Sequence, residues 1–162
     1  MIEFKTIDQF DRGLIYKLLC ESYANLLEAM PDYKHEFKAN WRRTDNNLFD
    51  DTDSSGNVAI STLVEEPIGF VSWFLEGANI GSIGHNCIAP LHRGKGYGRE
   101  QVRLALDKLS SQILLVKVTT ANPPFFQSAR RMYLACGFIE VGRSRTDAYG
   151  GLELVHYEHT RK

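Results

Sequence analysis

A glycine-rich turn near the middle of the chain limits the folds that this sequence can adopt. Residues 93–98 read RGKGYG, with glycines at alternate positions. An apolar, strand-like run over 80–89 precedes the turn, and residues 98–109 repeat apolar side chains at helical spacing. A near-continuous apolar run over 113–120, rich in β-branched residues, then indicates a buried strand. This order predicts a right-handed strand–helix–strand crossover whose two strands are parallel.

The rest of the pattern completes a mixed α/β domain around this crossover. Asp8 is placed to cap the first helix, and short connections make the strands before the turn antiparallel neighbours. The fold class is α/β (α+β), with a central mixed, mostly antiparallel sheet flanked by helices in the order βααβββαβαββ. The predicted segments are strands over 2–7, 58–64, 68–75, 80–89, 113–120, 138–141 and 152–159, helices over 8–30, 32–41, 98–109 and 128–136, and a polar loop over 44–57.

Length and charge place the chain among small soluble proteins. Its 162 residues fit one domain over 1–162. A formal net charge of -1 argues against a general electrostatic grip on nucleic acid or anionic membrane. No run approaches the ~18 apolar residues of a spanning helix, and the N-terminus lacks the apolar run of a signal peptide. We therefore expect a cytoplasmic protein that binds neither nucleic acid nor membrane.

The cysteines form no recognisable motif. Cys20, Cys87 and Cys136 are odd in number, and no pair has metal-ligand or CxxC spacing. We expect reduced, packed thiols in a reducing compartment. The sequence also has no His/Cys/Asp/Glu cluster that suggests a metal, so we expect none.

The glycine-rich turn is suited to bind phosphate. Glycine permits backbone turns that aim several N–H groups at one point, here at the positive end of a helix dipole. Arg93, Lys95 and Arg99 add positive charge, so a pyrophosphate is the natural ligand. The turn lacks the Ser/Thr after Lys95 that a P-loop needs, and it lacks the glycine at position 99 of a dinucleotide fingerprint. A purely structural turn is the alternative.

Two segments resemble the signatures of the GNAT acyltransferase superfamily. Residues 88–98, IAPLHRGKGYG, resemble the acetyl-CoA signature (R/Q)xxGxG/A preceded by a strand that ends in apolar-x-Pro. Residues 128–138, SARRMYLACGF, resemble the second signature, in which a tyrosine follows an alanine by four residues and a Gly-Phe pair ends the helix. The segments occur in the family's order, and the similarity covers the strand order from Val58 to the end. The N-terminal helices match only in being helices.

The resemblance implies an acetyl-CoA-dependent N-acetyltransferase, in which a primary amine attacks the thioester directly within a ternary complex. Acetyl-CoA is then a co-substrate, and no metal takes part. The pantetheine arm would lie between splayed strands over 82–89 and 113–120, where backbone groups would hold the acyl carbonyl. The implied cofactor-binding residues are Cys87, Ile88, Ala89, Arg93, Gly94, Lys95, Gly96, Tyr97, Gly98, Arg99, Asn122, Ser128 and Ala129. For Asn122 a loop-cap role is the alternative, in which case Gln127 or Ser128 could contact the pantetheine.

Two side chains are candidates for proton transfer. The resemblance implies that Tyr133, on the same helical face as Ala129, is the general acid that protonates the departing thiolate. From spacing alone, a packed aromatic ring is the alternative. His85 lies on the strand that flanks the implied cleft and has a suitable ordinary pKa for a general base or relay. A water chain to bulk solvent is its main competitor.

The acceptor amine, the length of the acyl group and the oligomeric state stay open, with a homodimer as one possible assembly. A non-catalytic acyl-CoA sensor is the first alternative function, although it would not need Tyr133. A nucleotide-binding protein of another class is the second. Carboxylates beside aromatic rings would suit a cationic amine. In this architecture an acceptor pocket would form from the first two helices, the loop after them and the last two strands. The candidate residues for it are Glu28, Asp32, Tyr33, Trp41, Trp73, Tyr149 and Glu153.

Overall fold

The computed structural model describes residues 1–50, 57–109, 113–122 and 126–160. These ranges contain seven strands and five α-helices, joined in places by short 3₁₀ turns. The strands are β1 (Glu3–Lys5), β2 (Val58–Leu63), β3 (Glu66–Leu75), β4 (Ile80–Ile88), β5 (Leu115–Ala121), β6 (Ile139–Arg145) and β7 (Glu153–Thr160). The helices are α1 (Leu14–Ser22), α2 (Ala24–Ala29), α3 (Lys34–Asp50), α4 (Tyr97–Lys108) and α5 (Gln127–Ala135).

The strands form a sheet in the order β1-β2-β3-β4-β5-β7-β6. The pairs β1/β2, β2/β3, β5/β7 and β6/β7 are antiparallel. β4 and β5 are parallel, with Ile80–Ser82 opposite Leu115–Lys117. Because α4 lies between these two strands in the chain, the predicted crossover with parallel strands is confirmed. The mixed, mostly antiparallel sheet flanked by helices is confirmed as well.

The chain divides into two compact units. The first comprises Met1–Ser72 and His85–Gln101, and the second comprises Trp73–Gly84 and Val102–Lys162. Each unit has its own set of buried apolar side chains, and the helical spacing of α1 and α4 places several of them on one helical face. Fully buried examples in the first unit are Ile15, Leu19, Ile60, Phe70 and Val71. Those in the second unit are Val102, Ala105, Val116 and Val155.

The prediction of one continuous first helix is wrong. The chain instead forms a 3₁₀ turn over Ile7–Gln9, then α1, then α2, with a break at Tyr23. Asp8 lies inside the 3₁₀ turn, and the N-cap residue of α1 is Gly13, which makes no side-chain cap. The Asp45 carboxylate, from α3, accepts hydrogen bonds from the N–H groups of Gly13 (2.9 Å) and Tyr16 (3.0 Å) instead. It thereby satisfies first-turn donors that a local cap would otherwise serve.

The predicted polar loop over 44–57 is wrong over its first half, because α3 continues to Asp50. Asn and Asp are poor helix formers, so the composition favours a loop. Partners from the N-terminal segment override that preference. Asp45 is buried, and Arg12 donates to Asn46 Oδ1 (3.1 Å) and forms an ion pair with Asp50. Residues 51–56 of the predicted loop lie outside the described residues.

The other predicted elements are present with shifted ends. The largest shift is in β6, which continues to Arg145, whereas the sequence predicted an end at residue 141. Element ends depend on cross-strand partners, which local patterns do not show. Among the helices of the described segments, none has both the length and the apolar character that crossing a membrane requires.

Candidate active site

The glycine-rich turn leads directly into α4 in the first unit. Gly94 has φ 77° and Gly96 has φ 86°, both in the left-handed region that glycine enters without steric cost. α4 begins at Tyr97, so the first N–H groups of the helix lie next to this turn and have no intrahelical acceptor. The positive end of the helix dipole lies at the same place. This geometry suits an anion with several oxygens, and the predicted binding of phosphate stays a prediction.

The basic residues of the turn fall into two kinds. Lys95 and Arg99 are exposed, so their charges are accessible to an anion in solution. Arg93 donates from Nε to the carbonyl of Ile88 (3.0 Å) and from its terminal nitrogen to the carbonyl of Ser22. Arg93 therefore braces the turn against β4 and α1, a function that the sequence did not indicate. Its predicted contact with phosphate stays a prediction.

The backbone at the end of β4 has one N–H already engaged. The Ala89 N–H donates to the carbonyl of Ile68 on β3 at 2.7 Å. Successive N–H groups of a strand point to opposite sides, so the Ile88 N–H points away from β3. Of the three residues predicted to hold the acyl group, Ile88 is thus the one whose N–H points away from the neighbouring strand β3.

Cys87 is buried, and its thiol is held in the protonated form. Burial raises its pKa to about 11, which outweighs the opposing effects of the Ser22 hydroxyl, the Phe70 backbone and the Arg93 charge. Only the thiolate is a good nucleophile, so Cys87 is unreactive at neutral pH. The cysteine nearest the predicted acyl site is therefore a packing residue.

His85 lies two residues before Cys87 on β4. Its backbone N–H donates to Ser72 Oγ (3.0 Å), and the centroid of its imidazole ring lies 5.9 Å from that of the Phe70 ring. Burial lowers the pKa of the imidazole to about 4. The ring is therefore neutral at neutral pH and can accept a proton, but it is a weak base.

In the second unit, Tyr133 is buried on α5. Its ring meets that of Phe138 edge-on at a centroid distance of 5.6 Å and lies 6.1 Å from the ring of Tyr157. These contacts make the ring part of this unit's core, as the packing alternative predicted. They leave the chemical role of the hydroxyl as a prediction.

Asn122 follows β5, and its carboxamide is engaged within the second unit. Its Oδ1 accepts from Arg130 (2.5 Å), its amide donates to Glu153, and its backbone N–H donates to the Glu153 carbonyl (3.0 Å). The residue thus caps the end of β5 in this structure, and its predicted pantetheine contact stays a prediction. Ser128 and Ala129 lie in the first turn of α5, exposed and half-buried respectively.

Two residues suggested for an acceptor pocket have structural contacts. The Trp41 ring is buried and stacks with Tyr23 (5.7 Å) and Phe37 (5.8 Å), all within the first unit. Glu153 pairs with Arg143 at 3.4 Å within the second unit. Aromatic and acidic composition alone therefore does not locate an acceptor site.

The sequence did not single out Gln101, a fully buried polar residue of the first unit. Gln101 precedes Ala105 by four residues, which places it on the apolar face of α4. A carboxamide on such a face is the signal that could have identified it, because buried polar groups need specific partners.

Comparisons with known proteins agree with this geometry. A sequence model of the acetyltransferase (GNAT) family matches residues 15–138. No curated protein sequence matches the chain significantly. Many solved structures share the fold, and three are described below.

The PaiA N-acetyltransferase of Thermoplasma acidophilum, solved with coenzyme A, has a TM-score of 0.76 at 16% identity over 99% of each chain. An acetyltransferase of Thermus thermophilus has a TM-score of 0.70 at 18% identity, covering 99% of this chain and 97% of its own. The ribosomal-protein-S18-alanine N-acetyltransferase of Escherichia coli has a TM-score of 0.70 at 12% identity, covering 99% and 94%. Identities this low show the shared fold alone.

Proposed function

Because the chain belongs to the acetyltransferase (GNAT) family, we propose that it is an acetyl-CoA-dependent N-acetyltransferase that acts on a primary amine. The observation that carries the proposal is the turn before α4, where Gly94 and Gly96 adopt left-handed backbone. Such a turn brings N–H groups together at a helix N-terminus, which suits the pyrophosphate of coenzyme A. The exposed charges of Lys95 and Arg99 add to the attraction.

The acyl carbonyl is polarised in this proposal by the N–H of Ile88. The Ala89 N–H is engaged by Ile68, so the neighbouring N–H is the better donor for a ligand. A preorganised donor stabilises the negative charge that develops on the carbonyl oxygen during attack. Donors of this kind contribute about 3 kcal/mol to the stability of the transition state in other acyl-transfer enzymes.

The amine attacks the thioester directly rather than through an acylated cysteine. The amine nitrogen bonds to the carbonyl carbon, the carbon–sulfur bond breaks, and coenzyme A leaves as a thiolate. The thiol of Cys87, with a pKa of about 11, is protonated and disfavours a covalent route at this position. The Tyr133 hydroxyl supplies a proton to the thiolate.

The attacking amine must also lose a proton. His85 is our candidate to receive it, because a neutral imidazole accepts a proton at neutral pH. With a pKa of about 4, the imidazolium would pass its proton on at once. That property suits a relay toward solvent more than a base that holds the proton through turnover.

Substitution of Gly96 tests the proposal at its central observation. Gly96→Val should strain the left-handed backbone by about 1–3 kcal/mol and place a branched side chain beside the phosphates. A Cβ at this position meets nothing within 4 Å, so the variant should fold. We expect calorimetry to show acetyl-CoA affinity reduced by about tenfold or more, given that each 1.4 kcal/mol is tenfold.

Gly77→Val is the matched control. Gly77 lies outside left-handed backbone, and its Cβ would also meet nothing within 4 Å. Wild-type affinity in Gly96→Val would refute the assignment of the turn. Titration of the wild-type protein with ATP and NAD separates nucleotide-binding proteins from acyltransferases. A screen of amines with detection of released thiol then separates an enzyme from a sensor, since a sensor releases no coenzyme A.

A further inference from the structure

A continuous set of buried and partly buried hydrogen bonds surrounds Gln101 in the first unit. Gln101 and Ser61 are both 0% exposed. The Ser61 hydroxyl donates to Gln101 Oε1 (2.5 Å), and Gln101 Nε2 donates to Asn86 Oδ1 (2.6 Å). Asn86 Nδ2 donates in turn to the carbonyl of Gly98 (3.3 Å), at the start of α4. The Gln101 carboxamide therefore links β2 and β4 to the helix that follows the glycine-rich turn.

The same carboxamide also reaches the backbone of two neighbouring strands. Gln101 Nε2 lies 3.1 Å from the carbonyl oxygen of Phe70 on β3 and 3.3 Å from that of Cys87 on β4. A glutamine amide has two hydrogens to donate, so Asn86 Oδ1 and the two carbonyls share them, with one hydrogen between two acceptors. A polar group placed so deep costs stability unless its partners satisfy it, and here they do.

Gly69 provides the space for this arrangement. A Cβ at position 69 would overlap the carbonyl oxygen of Cys87, and it would lie 2.8 Å from Ile88 Cδ1 and 3.1 Å from Gln101 Oε1. Only a residue without a side chain lets the Cys87 carbonyl approach β3 so closely. The position of that carbonyl is thus determined from both sides, by Gly69 and by Gln101.

The Cys87 carbonyl and the Ile88 N–H belong to one peptide group. A trans peptide is planar, so its C=O and N–H point in opposite directions. When Gln101 holds the carbonyl oxygen, it also sets the direction of the Ile88 N–H. On the following peptide, Arg93 Nε holds the Ile88 carbonyl at 3.0 Å. Both peptide planes that flank Ile88 are therefore held by side chains.

We propose that Gln101 is a positioning residue for acyl transfer, which orients the Cys87–Ile88 peptide so that its N–H donates to the thioester carbonyl. This inference rests on the proposed function and adds a residue to it. Packing alone does not require a carboxamide at this position, because the next residues of the buried face, Val102 and Ala105, are apolar. The property that distinguishes Gln101 from these residues is therefore its set of hydrogen bonds.

Gln101→Met tests the proposal, because methionine keeps a similar length and volume but cannot donate a hydrogen bond. The double variant Ser61→Ala/Gln101→Met also removes the Ser61 hydroxyl, which the single change would leave buried without an acceptor. The double variant should therefore lose less folding stability from an unpaired polar group. Val102→Ala is the matched control, since it damages the packing of the same helix and leaves the carboxamide untouched. All variants are full-length proteins.

The main readout is the infrared stretching band of acetyl-CoA labelled with ¹³C at its thioester carbonyl, which needs no acceptor amine. A hydrogen bond from Ile88 N–H should shift this band to lower frequency on binding to the wild-type protein. We expect the shift to fall by at least about half in both Gln101 variants, while coenzyme A affinity changes less than about threefold, because the phosphate turn is intact. With an acceptor in hand, kcat should fall about ten- to a hundredfold with little change in KM.

Three results would overturn the inference. A folded Gln101→Met protein with the full wild-type band shift would show that the carboxamide does not orient the peptide. An equally reduced shift in Val102→Ala would assign the effect to general packing. Failure of the wild-type protein to bind acetyl-CoA at all would refute the proposed function and, with it, the inference. The first two results would refute the inference alone, because acetyl-CoA still binds.

Discussion

The corner of β2, β3, β4 and α4 differs from the β6–β7 hairpin in how it uses polar side chains. In the corner, Ser61 and Gln101 are completely buried, and the Ser61 hydroxyl donates to the carboxamide oxygen of Gln101. In the hairpin every residue of β6 is exposed, and its side chains make surface contacts such as the ion pair of Arg143 with Glu140 at 2.8 Å. The first region thus bears the desolvation cost of buried polar groups, whereas the second leaves its polar groups exposed to water.

This difference indicates which hydrogen bonds and ion pairs hold side chains in defined positions. A buried donor left without its acceptor loses both water and partner, which costs about 1–3 kcal/mol. An exposed ion pair competes with water and salt, and its removal often has no measurable effect. Substitutions in the corner should therefore alter geometry and activity, while those in the hairpin should be tolerated.

The sharpest test of this contrast compares two glycines. Gly69→Ala should destabilise the protein by about 3 kcal/mol, because the new methyl group meets a backbone carbonyl that cannot move aside. It should also reduce the rate of acyl transfer by displacing the Cys87–Ile88 peptide. Gly142→Ala in β6 is the control, since its Cβ would meet nothing within 4 Å. Urea unfolding and steady-state kinetics measure both effects. Equal stability of the two variants would contradict the proposed difference between the corner and the hairpin.

Tyr133→Phe asks whether the second unit also carries a polar group with a defined position. The substitution keeps the ring that packs against Phe138 and Tyr157, so stability and acetyl-CoA affinity should barely change. If the hydroxyl protonates the thiolate, kcat and kcat/KM should both fall by roughly ten- to a thousandfold. The defect should shrink as the pH rises toward the pKa of free thiol. Wild-type kcat at low and high pH would show that Tyr133 is a packing residue alone.

His85 gives the corner a pH dependence. Its pKa of about 4 in the folded protein lies below the ordinary value of 6.5. Between these two values the unfolded chain binds a proton that the folded chain does not, so stability falls as the pH drops through this window. His85→Gln should flatten that fall when urea unfolding is compared at neutral pH and near pH 5. The same slope in both proteins would show that His85 is not the group responsible.

The smallest effect is expected in the hairpin. Glu140 and Glu153 raise the pKa of the exposed Arg143, chiefly through its hydrogen bond to Glu140. Water and salt screen such contacts, so Arg143→Ala should leave the melting temperature and the kinetics unchanged. A clearly lower melting temperature in Arg143→Ala would show that surface ion pairs matter more here than we expect. A clear fall in the melting temperature of the wild-type protein at high salt would show the same.

Much of the fold and the backbone of the glycine-rich turn could be predicted from the sequence. Hydrophobic periodicity indicated strands and helices correctly for β2 through α5, because burial of one face is a local pattern. The short connections between β2, β3 and β4 indicated antiparallel neighbours, as the β2/β3 pair confirms. Gly94 and Gly96 indicated a left-handed turn, because few other residues adopt that backbone.

Contacts between distant parts of the chain decided the rest. α3 continues through Asp45 and Asp50 because residues about thirty positions earlier bind them, and no propensity scale contains that information. The pKa of His85 depends on the side chains that bury it.

The same holds for the candidate active site. Its residue types and the glycine turn follow from the sequence by itself, because backbone conformation and periodicity are properties of neighbouring residues. The link from Gln101 to the Cys87 carbonyl, the approach permitted by Gly69, and the bonds of Arg93 to Ile88 and Ser22 exist only in the folded chain. A buried hydrogen bond needs both partners within about 3 Å, and only tertiary structure brings together groups so far apart in sequence.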